Sequence, residues 1–491
     1  MHLLRLHNGV AFALLPRRTI PIRSFFAFKS LFVKPITFGQ IVSSDLTTTM
    51  DSPFSTPTCP CCSFLSGALF LPWNEKDAVD EVGGINDGIK KNFSGDLSQS
   101  TDVITPNEAW QRIAAMGIHA EDTDDEARQR ILLVDTHGHP HLQRDVQYAG
   151  KQDDTTTGPR DELIDSSQGV VSLTCAVSPL DWKDSLDYAS QSPRILPALG
   201  VHPWYLSDIM VDISDTDISD ENLEQYLKWE WLSDLEHNLS KHPHMLVGEI
   251  GLCKMARFVR EFPKDRGGKA TALQLQKMVF RKQLELAAKW SRPVTVHCVN
   301  AHGIFMEVMR NILVEAKESC KGEEIQEAKL LWRKAFPPAI AMHSFTGTAH
   351  HVGEILAFEK ELLHPEDVES GGKRRRRKQK QHGVESPPIQ TKTDKDKDDQ
   401  KEVVFYFGFS HAVNHIMCTS EKARKKGMEA VRSIPPDRLL VESDVHASVD
   451  VTLGTAGAAA YAAQARGETL EEVAEHTTRN GLRFLSSLGL Q

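Results

Sequence analysis

The chain has 491 residues, of which 40% are hydrophobic and 25% charged, a balance typical of a soluble globular protein. No apolar run reaches the roughly 18 residues of a membrane helix, and eight cysteines are too few for a disulfide scaffold, which indicates a reducing compartment. A net charge of -10 argues against a protein that coats nucleic acid by bulk electrostatics, but it allows an enzyme whose metal cations supply local positive charge.

The first 44 residues contain no acidic residue and six basic ones, namely Arg5, Arg17, Arg18, Arg23, Lys29 and Lys34. Such a composition is typical of a mitochondrial transit peptide. The alternative is a leader that is not native, with Met50 as the true start. Because residues 45–105 are rich in Ser, Thr, Pro, Gly and Asp, we expect residues 1–105 to form a disordered extension. The cluster Cys59-Pro60-Cys61-Cys62 has no second ligand pair nearby and is not expected to bind zinc.

Downstream of this extension the pattern becomes regular. A helix is predicted over Pro106–Met116, capped by Thr105 or Asn107. From Ile131 onward, short apolar runs alternate with helical stretches such as Ala272–Trp290, as expected for parallel strands buried on both faces. The eight runs are Ile131–Val134, Val170–Val177, Ile195–Leu199, Met245–Ile250, Pro293–His297, Ala339–Met342, Val403–Phe407 and Leu439–Val441. Eight repeats favour a closed TIM (β/α)8 barrel over residues 106–490 rather than a doubly wound α/β sheet.

Two polar insertions interrupt the repeats, at 149–167 and at about 364–402. The longer one has almost nothing to bury and is predicted to be a disordered, charged loop. Its basic run Lys373–Lys380 is either a nuclear import signal, a phosphate contact or a solubilising segment. We therefore expect a cytoplasmic or nuclear protein, or a mitochondrial one if residues 1–44 are a genuine transit peptide.

Imidazoles and carboxylates follow the predicted strands at the points where the strands end. They are Asp135, His137, His139, His202, Glu249, His297, His343 and Asp444. The carboxyl ends of all strands of a TIM barrel converge on one face, where its active site lies. Neutral nitrogens and hard oxygens gathered there are the ligands of divalent ions that activate water. A lone histidine is more often structural, which is our expectation for His141, His302 and His411.

Seven segments resemble, in the same order, the motifs of the TatD family of metal-dependent deoxyribonucleases. They are Val134–His139, Gly200–Trp204, Val247–Leu252, Gln276–Ala287, Pro293–His297, His343–Gly347 and Asp437–Asp444. Asn480 and Phe484 fit the family's final helix, so that the resemblance covers about 131–490. The first segment contains Asp135-Thr136-His137-Gly138-His139, similar to the family's opening Asp-Thr-His-x-His.

The resemblance implies a metal-dependent hydrolase barrel that binds two divalent metal ions, usually Mg, Mn or Zn, and no membrane. By position, one ion would be held by His137, His139 and Asp444. The other would be held by His297 and His343, with Glu249 bridging the two ions. His202 would contact the scissile phosphate, and Asp444 would orient or deprotonate the attacking water. The implied reaction is hydrolysis of DNA phosphodiesters, often 3′-to-5′ on single strands, although some relatives act on aminoacyl-tRNA.

Three departures from the family pattern leave alternatives open. Cys253 replaces an aspartate, Ser443 replaces a threonine, and Val445 to Ser448, including His446, replace a Ser/Pro pair. These changes make altered substrate preference or low activity more plausible. One alternative is an amide or ester hydrolase, but that superfamily usually has a bridging lysine where this chain has Glu249. Another is an adaptor that binds a protein partner through the loop 364–402, as for fungal members described as partners of the cell-cycle machinery. The complete ligand set favours the nuclease.

Overall fold

The structure is a computed structural model that describes residues 104–116, 130–144, 169–211, 223–364, 402–418 and 420–488. The predicted extension up to residue 103, with its cysteine cluster, lies outside the described residues. So do the insertion 149–167 and residues 365–401 of the longer insertion, including its basic run. Among the described helices, none is both long and apolar enough to span a membrane.

Eight parallel strands pair side by side in chain order. They are β1 Leu133–Asp135, β2 Val170–Cys175, β3 Ile195–Leu199, β4 Leu246–Cys253, β5 Val294–Val299, β6 Ile340–Met342, β7 Phe405–Ser410 and β8 Leu439–Glu442. The last strand returns to the first, because the Thr136 amide donates to the Val441 carbonyl at 3.3 Å and the Asp444 amide to the His137 carbonyl at 2.9 Å. The predicted (β/α)8 barrel is therefore confirmed, and each predicted apolar run contributes a strand.

Helices alternate with the strands along the described chain. They are α1 Pro106–Met116, α2 Trp182–Ala189, α3 Glu230–Lys241, α4 Arg257–Glu261, α5 Gly268–Lys289, α6 His302–Ser319, α7 Ile325–Lys334, α8 Ala349–Leu363, α9 Glu421–Ser433, α10 Val451–Arg466 and α11 Leu470–Ser486. Every position of β2, β4, β7 and β8 is buried. Burial on both faces explains why these strands are apolar runs rather than alternating patterns.

The start of α1 illustrates how local sequence sets the helix ends. The Thr105 hydroxyl accepts from the Glu108 amide at 3.2 Å, and the Glu108 carboxylate accepts from the Thr105 amide at 2.9 Å. This reciprocal capping box identifies Thr105, one of the two predicted caps, as the residue that begins the helix. Ala109 and Ile113 are buried where α1 packs against α10.

A buried ion pair ties the outer helices to the barrel. Glu359 on α8 accepts from Arg438 at 2.9 Å, and both side chains are buried. The same carboxylate oxygen accepts from the Val404 amide at 2.6 Å, directly before β7. Because Arg438 immediately precedes β8, this pair fixes the amino ends of two neighbouring strands, and the opposite ends of these strands carry the site residues.

Candidate metal centre

The Glu249 carboxylate lies at the centre of the predicted ligands. Its side chain is on β4 and the residue is 2% exposed. The register of β4 against β5 shifts between Val247 and Ile250, so that Glu249 lies within an irregularity of the ladder. Such bulges redirect side chains next to functional sites. The irregularity in β4 thus lies at the residue whose buried carboxylate faces the histidines at the carboxyl ends of the strands.

Oxygen Oε2 of Glu249 faces the two histidines that follow β1. It lies 3.3 Å from Nε2 of His137 and 3.3 Å from Nε2 of His139. The Nδ1 atom of His139 lies 2.6 Å from the backbone carbonyl of Cys175, which can only accept a hydrogen bond. In the neutral ring, Nδ1 therefore carries the proton, and Nε2 keeps a lone pair directed at the carboxylate.

Oxygen Oε1 of Glu249 faces three further histidines. It lies 2.9 Å from Nδ1 of His297, 2.9 Å from Nε2 of His343 and 3.2 Å from Nε2 of His202. Nδ1 of His202, however, accepts the Trp204 backbone amide at 3.3 Å. In the neutral ring the proton is then on Nε2, which makes this atom a hydrogen-bond donor. His202 therefore differs in chemistry from the imidazoles that present a lone pair.

Asp444 completes the cluster from the loop after β8. Its Oδ2 accepts from the Ser344 hydroxyl at 2.8 Å, and its Oδ1 lies 3.8 Å from Nε2 of His139. Asp444 has a φ of 52° and Ser344 a φ of 36°. Left-handed backbone at non-glycine residues costs free energy and is concentrated at functional sites. The hydrogen bond between their side chains helps to hold both residues in this conformation.

These side chains form three overlapping groups. Within each group, the ligand atoms lie within 4.8 Å of one another. The groups are His137, His139 and Glu249; His202, Glu249 and His297; and His137, His343 and Asp444. All six predicted metal ligands are thus brought together, with predicted substrate contact His202 beside them. The buried Nε2 of His137 makes no hydrogen bond although a carboxylate oxygen is near. With the His137 proton on Nδ1, Nε2 would present a lone pair to this anionic oxygen. Such an arrangement suits a cation between them, so the donor set fits divalent ions.

Charge in the cluster favours the ionised carboxylates. Burial opposes ionisation of Glu249, but the surrounding imidazoles, His202 first, hold its pKa well below the ordinary value. Burial also opposes ionisation of Asp444, but nearby His343 lowers the pKa of this carboxyl too. Burial lowers the pKa of His202 to about 4, which leaves its ring neutral at pH 7. The centre thus offers anionic oxygens together with at least one neutral imidazole.

A second layer of polar residues holds the ligands in place. The Thr295 hydroxyl lies 2.6 Å from Nδ1 of His137, and both residues are buried. Glu442 accepts from the Ser344 amide, next to His343. Asp135 accepts the amide and hydroxyl of Ser443 at 2.8 and 2.6 Å. Ser443 therefore keeps the hydroxyl of the family's threonine at this position, which makes that departure chemically mild.

Cys253 lies next to His297, a member of the group formed by His202, Glu249 and His297. Its sulfur accepts the indole N–H of Trp204 at 3.2 Å. Burial raises the pKa of this thiol, but hydrogen bonding to His297 and to the indole lowers it overall. Cys253, which replaces the family's aspartate, thus contacts the predicted ligand His297 and the cleft residue Trp204.

The cluster opens into a cleft of about 280 Å³ at the carboxyl ends of the strands. Besides the ligands, the cleft is lined by residues that the sequence motifs did not identify as functional, including Arg144, Trp204, Tyr205 and Val413. His446, one of the departures, also lines it. These residues lie on several loops. The sequence predicts that the loops converge, but it does not predict which of their side chains enter the cleft.

Three histidines expected to be structural lie outside the ligand groups. His141 is held by the Thr174 hydroxyl at 2.8 Å and by Asp181 at 3.2 Å. His302 stacks on His351 with ring centres 4.3 Å apart. His411 stacks on His415 at 4.9 Å. These contacts agree with a role in packing for all three.

Comparison with known proteins supports the resemblance to the TatD family. The model of the family described as TatD related DNase matches residues 134–360, which include five of the six predicted ligands. Over this segment the chain is similar to the TatD family of hydrolases. The remaining predicted ligand, Asp444, lies on the same barrel beyond the matched segment.

Two curated relatives of the chain come from yeasts. Cut9-interacting protein scn1 of Schizosaccharomyces pombe is 23% identical over 393 residues, which cover 72% of this chain and 98% of the relative. Uncharacterized deoxyribonuclease YMR262W of Saccharomyces cerevisiae is 25% identical over 235 residues, covering 42% of this chain and 71% of the relative.

Solved structures with looser similarity include the TatD homologue YJJV of Escherichia coli, with 16% identity and a TM-score of 0.40. An uncharacterized amidohydrolase from Saccharomyces cerevisiae matches with 15% identity and a TM-score of 0.44. The first comparison covers 72% of this chain and 97% of the structure, and the second covers 72% and 99%.

Proposed function

We propose that this chain is a TatD-family hydrolase that cleaves phosphodiester bonds of single-stranded DNA, in the 3′-to-5′ direction, with two divalent ions. The observation that carries the proposal is the buried Glu249 carboxylate, whose two oxygens face two different sets of imidazoles. A single carboxylate in this position suits a bridge between two cations. Two-metal sites of this kind are typical of nucleases and phosphatases.

The residues present would divide between two ions, Mg, Mn or Zn. His137, His139 and Asp444 would hold one, His297 and His343 would hold the other, and Glu249 would bridge them. When bound, such ions supply positive charge for the phosphoryl oxygens and lower the pKa of a coordinated water. The remaining steps depend on the side chains of this chain.

Asp444 is proposed as the group that orients the attacking water and accepts its proton. Its lowered pKa keeps it ionised, and the Ser344 hydroxyl bound to Oδ2 leaves Oδ1 directed towards the cluster. His202 is proposed to donate its Nε2 proton to a non-bridging oxygen of the scissile phosphate, because the Trp204 amide occupies Nδ1. Arg144, which also lines the cleft, supplies a cation for the polyanionic substrate.

The name of one relative supports DNA as the substrate, since YMR262W is called a deoxyribonuclease. The name of the other, a Cut9-interacting protein, supports binding of a protein partner as an additional property of this chain. The two properties are compatible. The complete ligand set favours hydrolysis over a purely adaptor role, and the carboxylate bridge distinguishes this centre from that of the lysine-bridged amidohydrolases.

Cleavage of a labelled oligonucleotide tests the proposal. The purified protein is incubated with 5′-fluorescent single-stranded DNA and Mg, Mn or Zn, with an EDTA control. We expect metal-dependent shortening from the 3′ end, which a phosphorothioate linkage at that end should block. Asp444→Asn should lower the rate by about 100-fold or more, the usual effect of losing a general base. Asp437→Asn, the same change at the opposite end of β8, should retain the rate. Wild-type protein without metal-dependent cleavage, or equal rates for both variants, would refute the proposal.

A further inference from the structure

We propose that Trp204 is a stacking platform for an unpaired nucleobase next to the scissile phosphate, which restricts this enzyme to single-stranded ends. The inference rests on the proposed phosphodiesterase function and names the substrate feature that the same cleft recognises. It assigns a binding role to a residue that lies beside the metal ligands without being one of them.

Trp204 combines exposure with proximity to the reacting centre. It lies in the loop after β3, two residues beyond His202, and it lines the cleft together with Glu249. The residue is 46% exposed, unusual for a large aromatic side chain that could be packed in the core. An indole surface open to the cleft is therefore available to a ligand that also reaches the ions.

Two hydrogen bonds hold Trp204 in place, one made by its indole and one by its backbone. Its Nε1–H donates to the Cys253 sulfur at 3.2 Å, and its backbone amide donates to Nδ1 of His202 at 3.3 Å. The centre of the ring lies 6.4 Å from the centre of the His202 imidazole. A ring that is already ordered loses little conformational freedom when a ligand stacks on it. The Cys253 sulfur thus serves as the acceptor for the indole N–H.

The spacing fits one nucleotide. If His202 contacts the scissile phosphate, a base attached to the adjoining sugar is near enough to reach the neighbouring indole. Stacking on an aromatic residue tolerates any base, because every base has a π-face. A base inside a duplex is covered by its neighbours, so the platform selects single strands or frayed ends. Leu180 after β2 and Met255 after β4, on the loops of the two neighbouring strands, are also exposed apolar side chains.

Substrates with and without bases distinguish the platform from a structural role. The rate is measured on a single-stranded oligonucleotide and on the same strand with abasic residues at its 3′-terminal positions. Trp204→Ala should raise KM for the intact strand by about tenfold, the effect of losing one stacked base, with little change in kcat. KM for the abasic strand should already be high in the wild type and should not change further in Trp204→Ala.

Two further variants make the result interpretable. Trp204→Phe keeps an aromatic face and should retain most of the affinity for the intact strand. Trp229→Ala removes a tryptophan on α3's amino-terminal side that does not line the cleft, and its KM values should match the wild type. Equal KM for the intact and abasic strands in the wild type, or an equal loss on both strands in Trp204→Ala, would overturn the platform. Absence of cleavage of any strand by the wild type would instead refute the phosphodiesterase itself.

Discussion

Thr295→Val tests whether the second layer of the centre orients a metal ligand. The Thr295 hydroxyl lies 2.6 Å from Nδ1 of His137, and both residues are fully buried. Valine has nearly the same shape, so β5 should keep its packing while the ring nitrogen loses its partner. A buried polar atom left without a partner costs about 1–3 kcal/mol, or roughly 5- to 150-fold in an equilibrium constant.

We therefore expect Thr295→Val to weaken Mn binding and lower the hydrolysis rate by about 10- to 100-fold, the usual effect of losing such a supporting residue. Calorimetric titration of metal-free protein with Mn measures the affinity, and the rate is followed at increasing Mn. Thr455→Val is the matched control, because the buried Thr455 hydroxyl donates to the Val451 carbonyl within α10, away from the centre. Wild-type affinity in Thr295→Val, or the same loss in the control, would refute the reasoning.

Three further predictions concern stability. Gly251→Ala should lower the free energy of unfolding in urea by about 1–3 kcal/mol, because a Cβ there would lie 1.9 Å from the His297 carbonyl oxygen at a φ of 152°. Gly303→Ala, which meets open space, should be close to neutral, and equal effects would contradict the prediction. Arg438→Met should cost about 3–5 kcal/mol by leaving Glu359 buried without its cation, and adding Glu359→Gln should recover part of this loss. Burial lowers the pKa of His302 to about 4, so the unfolded chain takes up this proton first and stability falls as the pH drops from about 6.5 to 4. His302→Gln should flatten that decline, and an unchanged slope would exclude this contribution.

The sequence predicts the barrel well because continuous apolar runs indicate strands that are buried on both faces. The strand ends are less accurate. β4 was expected to end at Ile250, but it continues to Cys253 because Gly251, which looks like a break, packs directly against the His297 backbone. Similarly, His297 was expected to end β5, but the strand continues to Val299. Such ends depend on neighbouring strands rather than on local composition.

The predicted ligands come together because each lies near or just after the carboxyl end of a strand, and these ends converge on one face of a barrel. The supporting residues could not be found in this way. Thr295 is β-branched and typical of any strand, and its contact with His137 spans 158 positions of sequence. The proton position on His202 depends on a backbone amide in the folded loop. Arg144 and Trp204 line the same cleft from the loops after β1 and β3. The sequence predicts that these loops converge, but not that these two side chains enter the cleft.

Anomalous scattering from crystals of the Mn-loaded protein tests the two-ion centre most directly. The bridging role proposed for Glu249 predicts two peaks about 4 Å apart, one on each side of its carboxylate. His137, His139 and Asp444 should surround the first peak, and His297 and His343 the second. A single peak, or Mn bound away from Glu249, would contradict the two-metal account.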